Sequence, residues 1–365
     1  MRKHKKRIKG ILIGLPSVIA LAIVVFAGVY FNRLRSVGSI KKLTDYADGF
    51  DLYRVDIKYD YDLDRVIRPD ITDNQMVADA ILAEALPLVP IHMEAPEYGC
   101  SVFSVTDSAG HVLMGRNYDF DSNSSALLVF CSPKNGYRSV ATAALDHLDA
   151  NRLSGLVEKV STLASPFICL DGMNEKGVSV CVLWVDSAPT AQKTDKADIF
   201  TTLAIRLILD RAATTQEAVE LLRSYDMFAV SGGDYHFYIT DATGDGRVVE
   251  YDPHSESREL VDIPVRTATN FYQLYIDRVL PNQHNGIYGH GRERYDAIEE
   301  ILSAGEGAYS KETAWQALEA AQQLPREDDL ISNTQWSIVY DNTDLSAEIT
   351  LRRHWGERYA YRVGE

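Results

Sequence analysis

The chain has 365 residues, of which 46% are hydrophobic, and a formal net charge of −15 at pH 7. Positions 1–10 contribute six positive charges, so the remaining residues carry a net charge of −21. So acidic a surface repels phosphate backbones, which argues against a nucleic-acid partner. The length is ample for one large hydrophobic core or two small ones.

The N-terminus predicts a membrane segment. Residues 1–10 carry six Lys or Arg and no acid, and residues 11–31 carry no charge. About 20 apolar residues span a bilayer as a helix, and the basic flank predicts a cytoplasmic N-terminus. We expect residues 1–31 to be a single-pass signal anchor, with the rest of the chain outside the cytoplasm. A cleaved signal peptide is the alternative.

The segment 32–99 has secondary structure of its own. Residues 49–61 alternate like a strand, and residues 73–86 have helical periodicity with Asp73 as the N-cap. Prolines then predict an extended lead into Cys100. We interpret 32–99 as a pro-segment or small α-subunit packed on a catalytic domain at 100–365. The alternative is an N-terminal subdomain that is never cut.

Residues 98–120 predict a β-hairpin. Two stretches rich in β-branched and apolar residues, 100–106 and 111–118, flank the polar turn Asp107–Gly110. This turn pairs Thr106 with His111.

Residues of the hairpin predict nucleophilic chemistry. In this register Cys100 lies opposite Asn117, with Arg116 and Asp119 alongside. Strict alternation places Arg116 on the other face, so a bulge, a twist or a slipped register is needed to join it to the thiol. A cut before Cys100 would free an α-amine that can activate the thiol, with Arg116 favouring the thiolate and Asp119 holding the amine. A buried structural cysteine beside an ion pair is the alternative.

The rest of the chain places strands on both sides of a helical block. The predicted strands are 125–132, 138–144, two within 167–185 around a turn at 172–177, 235–241, 246–251, 257–262, 334–340, 345–352 and 358–363. The predicted helices are 199–213, 215–225 with a capping box from Thr214 to Glu217, 291–302 and 311–323.

The cysteines do not predict a metal site. Cys100, Cys131, Cys169 and Cys181 lack metal-ligand spacing, and the sequence has no HExxH motif or phosphate loop, so we expect neither a metal nor a cofactor. The sequence does not choose between a Cys131–Cys169 disulfide, a Cys169–Cys181 disulfide and free thiols.

The segment CSVFSVTDSAGHVLMGRNYDFD resembles the N-terminal motif of the cysteine N-terminal-nucleophile amidases. That superfamily includes choloylglycine hydrolases, penicillin V acylases and N-acylethanolamine acid amidase. Arg116 and Asp119 match its G-R-N-x-D motif, and within it the chain most resembles the bacterial linear amide C–N hydrolases. Further motifs agree in order: DGMNEKG at 171–177, YHFYITD at 235–241, ATNFY at 268–272, RERYDA at 292–297 and TQWSIVYD at 334–341.

The resemblance implies an α+β fold, the four-layer αββα N-terminal-nucleophile sandwich, with two antiparallel sheets between helical layers. The transmembrane helix predicted from residues 11–31 would precede it. It also implies that Cys100 is the nucleophile, exposed by autoproteolysis at Gly99–Cys100.

The resemblance implies further site residues. Asn270 would donate to the oxyanion of the tetrahedral intermediate, and Asn174 would contribute donor capacity beside the scissile carbonyl. Arg294, which precedes an aromatic residue, is favoured over Arg292 as the arginine that holds the site together. An asparagine that merely tolerates a turn conformation is the alternative for Asn174. Trp184 is a candidate for the acyl pocket or a core aromatic.

The implied function is hydrolysis of a linear amide in a small N-acyl substrate. Alternatives are N-acyl transfer of the penicillin acyltransferase type and a catalytically silent, surface-anchored binding protein. The charge of −21 favours a substrate with a neutral or cationic amine portion over an anionic bile salt. Neither the acyl group nor the oligomeric state follows from the sequence.

Overall fold

The computed structural model describes residues 26–68, 70–87, 99–120, 122–230, 232–283, 286–305, 307–326 and 333–365. Most of the predicted membrane segment, residues 11–25, and the predicted lead at 88–98 lie outside these ranges. Within them, no helix combines the length and the apolar character that a membrane span requires.

The elements follow the predicted alternation of strands and helices. The strands are β1 (Lys41–Lys42), β2 (Leu52–Asp56), β3 (Gly99–Thr106), β4 (Val112–Asp119), β5 (Ala126–Cys131), β6 (Ser139–Ala144), β7 (Asp171–Asn174), β8 (Ser179–Val185), β9 (Asp198–Phe200), β10 (Asp226–Phe228), β11 (Asp234–Thr240), β12 (Arg247–Tyr251), β13 (Leu260–Pro264), β14 (Thr267–Ala268), β15 (Thr334–Asp341), β16 (Ser346–Leu351) and β17 (Tyr359–Arg362). The helices are α1 (described over 26–37), α2 (Leu63–Val66), α3 (Asn74–Ala85), α4 (Leu156–Ser161), α5 (Thr201–Arg211), α6 (Thr215–Arg223), α7 (Arg292–Ala304) and α8 (Lys311–Ala320).

The predicted N-cap Asp73 is confirmed, and the predicted capping box from Thr214 to Glu217 is formed in one direction only, because the Glu217 carboxylate accepts from the backbone N–H of Ala213. Asp73 accepts a hydrogen bond from the backbone N–H of Met76 at the start of α3, and Thr214 accepts one from Glu217 at the start of α6. Each side chain satisfies a donor that the first helical turn leaves unpaired.

Two sheets face each other between helical layers. The larger has the strand order β1-β2-β5-β6-β7-β8-β11-β12-β13, and the smaller has the order β14-β3-β4-β15-β16-β17. Helices α5 and α6 pack on the larger sheet, and α7 and α8 pack on the smaller one. An apolar cluster that includes Phe103, Leu113, Ile298 and Trp315 joins the smaller sheet to its helices. The predicted αββα layering is therefore present.

The prediction of two purely antiparallel sheets was wrong at one edge. Strand β2 pairs in parallel with β5, with Leu52 opposite Ala126. Because β2 comes from the segment before Cys100, that segment is hydrogen-bonded into the larger sheet. A cut at Gly99–Cys100 would leave it held by this pairing.

The turn of the β3–β4 hairpin is one residue longer than predicted. Thr106 pairs with Val112 rather than with His111. The carboxylate of Asp107 accepts a hydrogen bond of 2.8 Å from the backbone N–H of His111, and the N–H of Asp107 donates to the carbonyl of His111. Because of these bonds, His111 is part of the turn and not of the returning strand.

The longer turn shifts the whole hairpin register by one residue. Cys100 lies opposite Tyr118, not opposite Asn117 as predicted. A shift of one residue exchanges the faces of a strand relative to its partner. The slipped register therefore places Arg116, two residues before Tyr118, on the same face as Cys100.

Gly172 provides a test of this packing. An added Cβ would lie 2.7 Å from a Leu209 methyl group of α5 and 2.8 Å from the carbonyl oxygen of Val140. We expect Gly172→Ala to lower the free energy of unfolding by about 1–3 kcal/mol, measured by urea denaturation. The control is Gly356→Ala, where an added Cβ has no neighbour within 4 Å, and we expect a change within about 0.5 kcal/mol. Equal midpoints for the two variants would contradict the placement of α5 on β7.

Candidate active site

Strand alternation divides the hairpin side chains between two faces. Cys100, Arg116 and Tyr118 point toward the larger sheet, where Arg116 donates to the carbonyl of Val182. Asp119 points to the opposite face, where it contacts Arg294 of α7. The hairpin thus carries a thiol on its inner face and a carboxylate on its outer face.

The thiol contacts a buried guanidinium. Arg116 Nη2 lies 3.1 Å from Cys100 Sγ, and Arg116 is completely buried. Arg116 Nη1 forms an ion pair with Asp171 of β7. The same carboxylate accepts from Tyr340 at 2.6 Å and from Trp336 at 3.3 Å, so the pair is surrounded by hydrogen-bond donors.

Two further side chains hold the backbone of Cys100. Its N–H donates to Asn270 Oδ1 at 2.7 Å, and its carbonyl accepts from Arg294 Nη1 at 2.6 Å. Arg294 also donates to Asn270 Oδ1 at 2.7 Å and to Asp119 Oδ2 at 3.2 Å. Because two donors face the same atom of Asn270, that atom must be the oxygen, which fixes the orientation of the amide.

The edge of β8 that faces β7 completes the site at the end of the strand, beyond the last residue pair with β7. In an extended strand the N–H and C=O of one residue point to the same side, and the side alternates along the chain. The N–H of Val182 donates to Leu170, which places Val182 and Trp184 on the side of β7. Strand β7 does not extend this far, and the two carbonyls accept instead from Arg116 at 3.0 Å and from Asn270 at 2.6 Å.

Two glycines allow the chain to pass between Asn270 and Arg294. Gly289 and Gly291 have φ angles of +94° and +90°. A Cβ on Gly289 would lie 2.1 Å from the carbonyl oxygen of Asn270, and one on Gly291 would lie 2.4 Å from Arg294 Nη2. Between them, His290 donates its N–H to that carbonyl at 2.8 Å. The glycines therefore permit the close approach that the site requires.

Burial dominates the electrostatics of the site. It raises the pKa of the Cys100 thiol to about 12, although the Arg116 guanidinium opposes the rise. Burial also raises the pKa of Asp119, against the attraction of Arg294 and the hydrogen bond from Thr334. With the Gly99–Cys100 bond intact, the thiol is thus protonated at neutral pH and the nitrogen of Cys100 is an amide, which is not a base.

The structure brings together five of the six predicted site residues. Asn174 does not join the cluster formed by Cys100, Arg116, Asp119, Asn270 and Arg294. Its side chain accepts from the backbone of Lys176 and Val178 in the β7–β8 turn and donates to Leu209 and Ala212 at the end of α5. These bonds give Asn174 a structural role, in which its side chain organises the turn rather than merely tolerating its conformation.

Four parts of the site were not predicted from the sequence: Asp171, Thr334 and the backbone of Val182 and Trp184. Asp171 begins the DGMNEKG motif and Thr334 begins TQWSIVYD, so both lay within recognised motifs. Thr334 donates to Asp119 Oδ1 at 2.7 Å across a bulge in the β4–β15 pairing. The backbone groups of β8 left no signal in the sequence, because any residue type supplies them.

Known proteins share both sequence features and fold with this chain. The family described as linear amide C–N hydrolases, choloylglycine hydrolase family, matches residues 100–280. No curated protein matches the sequence. A cysteine-to-alanine mutant of conjugated bile acid hydrolase from Clostridium perfringens has a similar fold, with a TM-score of 0.53 and 15% identity over 72% of this chain and 92% of that one. An arginine-to-leucine variant of that hydrolase gives a TM-score of 0.51 and 14% identity over the same shares. Penicillin V acylase from Agrobacterium tumefaciens gives 0.49 and 18%, over 69% and 83%.

Arg294 and Arg292 make a matched pair for testing the site. Arg294 faces the buried Asp119, whereas Arg292 forms an ion pair with the half-exposed Asp296. In a Cys100→Ala background, which keeps one covalent state, we expect Arg294→Met to lower the free energy of unfolding by about 3–5 kcal/mol, because it leaves a buried charge unpaired. Arg292→Met should cost about 1 kcal/mol. Urea midpoints measure both losses. A larger loss for Arg292→Met would show that Arg292, and not Arg294, has the structural role.

Proposed function

Because this chain belongs to the linear amide C–N hydrolases of the choloylglycine hydrolase family, we propose that it hydrolyses a small N-acyl amide with Cys100 as an N-terminal nucleophile. Enzymes of this family hydrolyse C–N bonds other than peptide bonds. One observation carries the proposal for Cys100: its nitrogen, oxygen and sulfur are each held by a different side chain, those of Asn270, Arg294 and Arg116.

The nucleophile first has to be released from the chain. Cys100 Sγ attacks the carbonyl carbon of Gly99, the C–N bond breaks, and a proton passes to the nitrogen of Cys100. Water then hydrolyses the thioester and leaves an N-terminal cysteine. A glycine before the nucleophile offers the least steric hindrance to this attack. Asn270 Oδ1 accepts from the nitrogen of Cys100 in the intact chain, whereas Asp119 pairs with Arg294, so Asn270 replaces Asp119 as the proposed acceptor for the new α-amine.

The free amine supplies the missing base. An α-amine has a pKa of about 7.7–8.0, so near neutral pH it accepts the proton of the thiol. The thiolate attacks the carbonyl carbon of the substrate, and the amine returns the proton to the departing nitrogen. Water then hydrolyses the acyl thioester. Arg116 opposes the effect of burial on the thiol and stabilises the thiolate.

The edge of β8 is the proposed site for the oxyanion. Asn270 Nδ2 has two N–H bonds, of which one donates to Trp184 O, so the second is a donor for the developing charge. The backbone N–H of Trp184 points to the same edge as its carbonyl and is the second proposed donor. This assignment replaces Asn174 as the residue that assists Asn270. A single donor of this kind is worth about 2.7–4 kcal/mol.

The proposed location is the outer face of a membrane. Its support is the charge-free run of residues 11–31 behind six basic residues. After a cut before Cys100, the pairing of β2 with β5 would keep the catalytic portion attached to the anchored segment.

Autoproteolysis predicts a defined set of products. Intact mass should show wild-type protein cut between Gly99 and Cys100 and Cys100→Ala as one full-length chain. The control Cys169→Ala, which removes a buried thiol outside the site, should be cut like the wild type. Cleavage of Cys100→Ala at the same bond would assign the cut to another protease, and activity in wholly uncut protein would exclude the amine base.

The net charge predicts the preferred substrate class. A charge of −21 on residues 11–365 raises the local concentration of cations and lowers that of anions, an effect that salt screens. We expect kcat/KM to be higher for neutral N-acyl amides and phenoxyacetyl amides than for glycine- or taurine-conjugated bile salts, with the difference shrinking as ionic strength rises. A preference for taurine conjugates would overturn this specificity. Acyl transfer to an added amine, in place of hydrolysis, would support the transferase alternative.

A further inference from the structure

A second cysteine faces the same guanidinium as the proposed nucleophile. Cys181 of β8 lies directly opposite Asp171 of β7. Residues opposite each other in an antiparallel pair project to the same face, with Cβ atoms about 4.5–5.5 Å apart. The carboxylate of Asp171 binds Arg116, and Arg116 Nη2 lies 3.1 Å from Cys100 Sγ. Cys181 therefore points into the space between the sheets where Cys100 lies.

The two sheets approach closely at these strands. Cα atoms of β3 come within 8 Å of Cα atoms of β8, whereas stacked sheets usually lie about 10 Å apart. A disulfide requires Cα atoms about 4.4–6.8 Å apart, so its formation requires β3 and β8 to come within this range at Cys100 and Cys181. Both cysteines are buried free thiols.

We propose that Cys181 is a resolving thiol, which forms a reversible disulfide with Cys100 when the nucleophile is oxidised by a peroxide. The proposal rests on the proposed function in taking Cys100 as the reactive thiol. The disulfide switches the enzyme off and protects Cys100 from irreversible oxidation.

The chemistry needs one equivalent of peroxide. The thiolate of Cys100 attacks an oxygen of hydrogen peroxide, an S–O bond forms, the O–O bond breaks, and hydroxide leaves. Cys181 then loses its proton and attacks the sulfur of Cys100, an S–S bond forms, and the S–O bond breaks with release of water. Two thiols are oxidised by two electrons, and peroxide is reduced to water.

The other two cysteines lie elsewhere and serve as controls. Cys131 and Cys169 are beside Arg206 of α5, on the outer face of the larger sheet. Cys169 donates to the carbonyl of Ser165 at 3.1 Å. Oxidation of Cys100 should therefore involve neither.

The test uses the purified chain in the covalent form in which it is isolated. It is treated with hydrogen peroxide, its remaining thiols are blocked, and its peptides are mapped by mass spectrometry. We expect a Cys100–Cys181 link, loss of two hydrogen atoms in mass, and loss of amidase activity that dithiothreitol restores. In Cys181→Ala, Cys100 should gain oxygen atoms instead, and dithiothreitol should not restore the activity. Cys169→Ala should behave like the wild type.

Two results would overturn the proposal: a link between other cysteines, or equal oxygen addition to Cys100 in wild type and Cys181→Ala. The mapping does not depend on activity, so it separates this inference from the proposed function. A Cys100–Cys181 link in a protein without amidase activity supports the pairing while contradicting the hydrolase. Amidase activity without the link contradicts the pairing alone.

Discussion

The pairing of Cys100 with Tyr118 determines which groups can reach the thiol. Side chains alternate along a strand, so this register sends Cys100 and Arg116 to the inner face of the smaller sheet and Asp119 to its outer face. The thiol then meets the guanidinium between the sheets, while Asp119 meets Arg294 from α7. A register one residue away would separate Cys100 from Arg116.

Two buried ion pairs follow from this division. Asp171 accepts from Arg116 of β4 and from Trp336 and Tyr340 of β15, so one carboxylate of the larger sheet binds two strands of the smaller one. Burying charges costs free energy unless geometry and additional hydrogen bonds compensate. The extra donors meet that requirement here. This network therefore joins β7 of the larger sheet to β4 and β15 of the smaller one.

The backbone of Cys100 is held as firmly as its side chain. Asn270 follows the short edge strand β14, and its side chain replaces a backbone partner for the N–H of Cys100. The guanidinium of Arg294 donates hydrogen bonds to the carbonyl of Cys100 and to the side chains of Asn270 and Asp119. The nitrogen that the proposed cut would release is thus bound by an acceptor in the intact chain.

Local sequence was enough to predict the hairpin, the capped helices α3 and α6, the order of strands and helices, and most of the residues of the cluster. These features depend on local periodicity, on side chains that bond to nearby backbone, and on motifs that the family resemblance allows us to recognise. Tertiary structure decided the rest. The register depends on how Asp107 bonds within its turn, and the parallel addition of β2 depends on a distant strand. Asp171 reaches the site because alternation along β7 turns its side chain toward the hairpin, whereas Asn174 bonds to the end of α5 on the other side of the sheet. No local pattern in the sequence shows which face of β7 meets the hairpin.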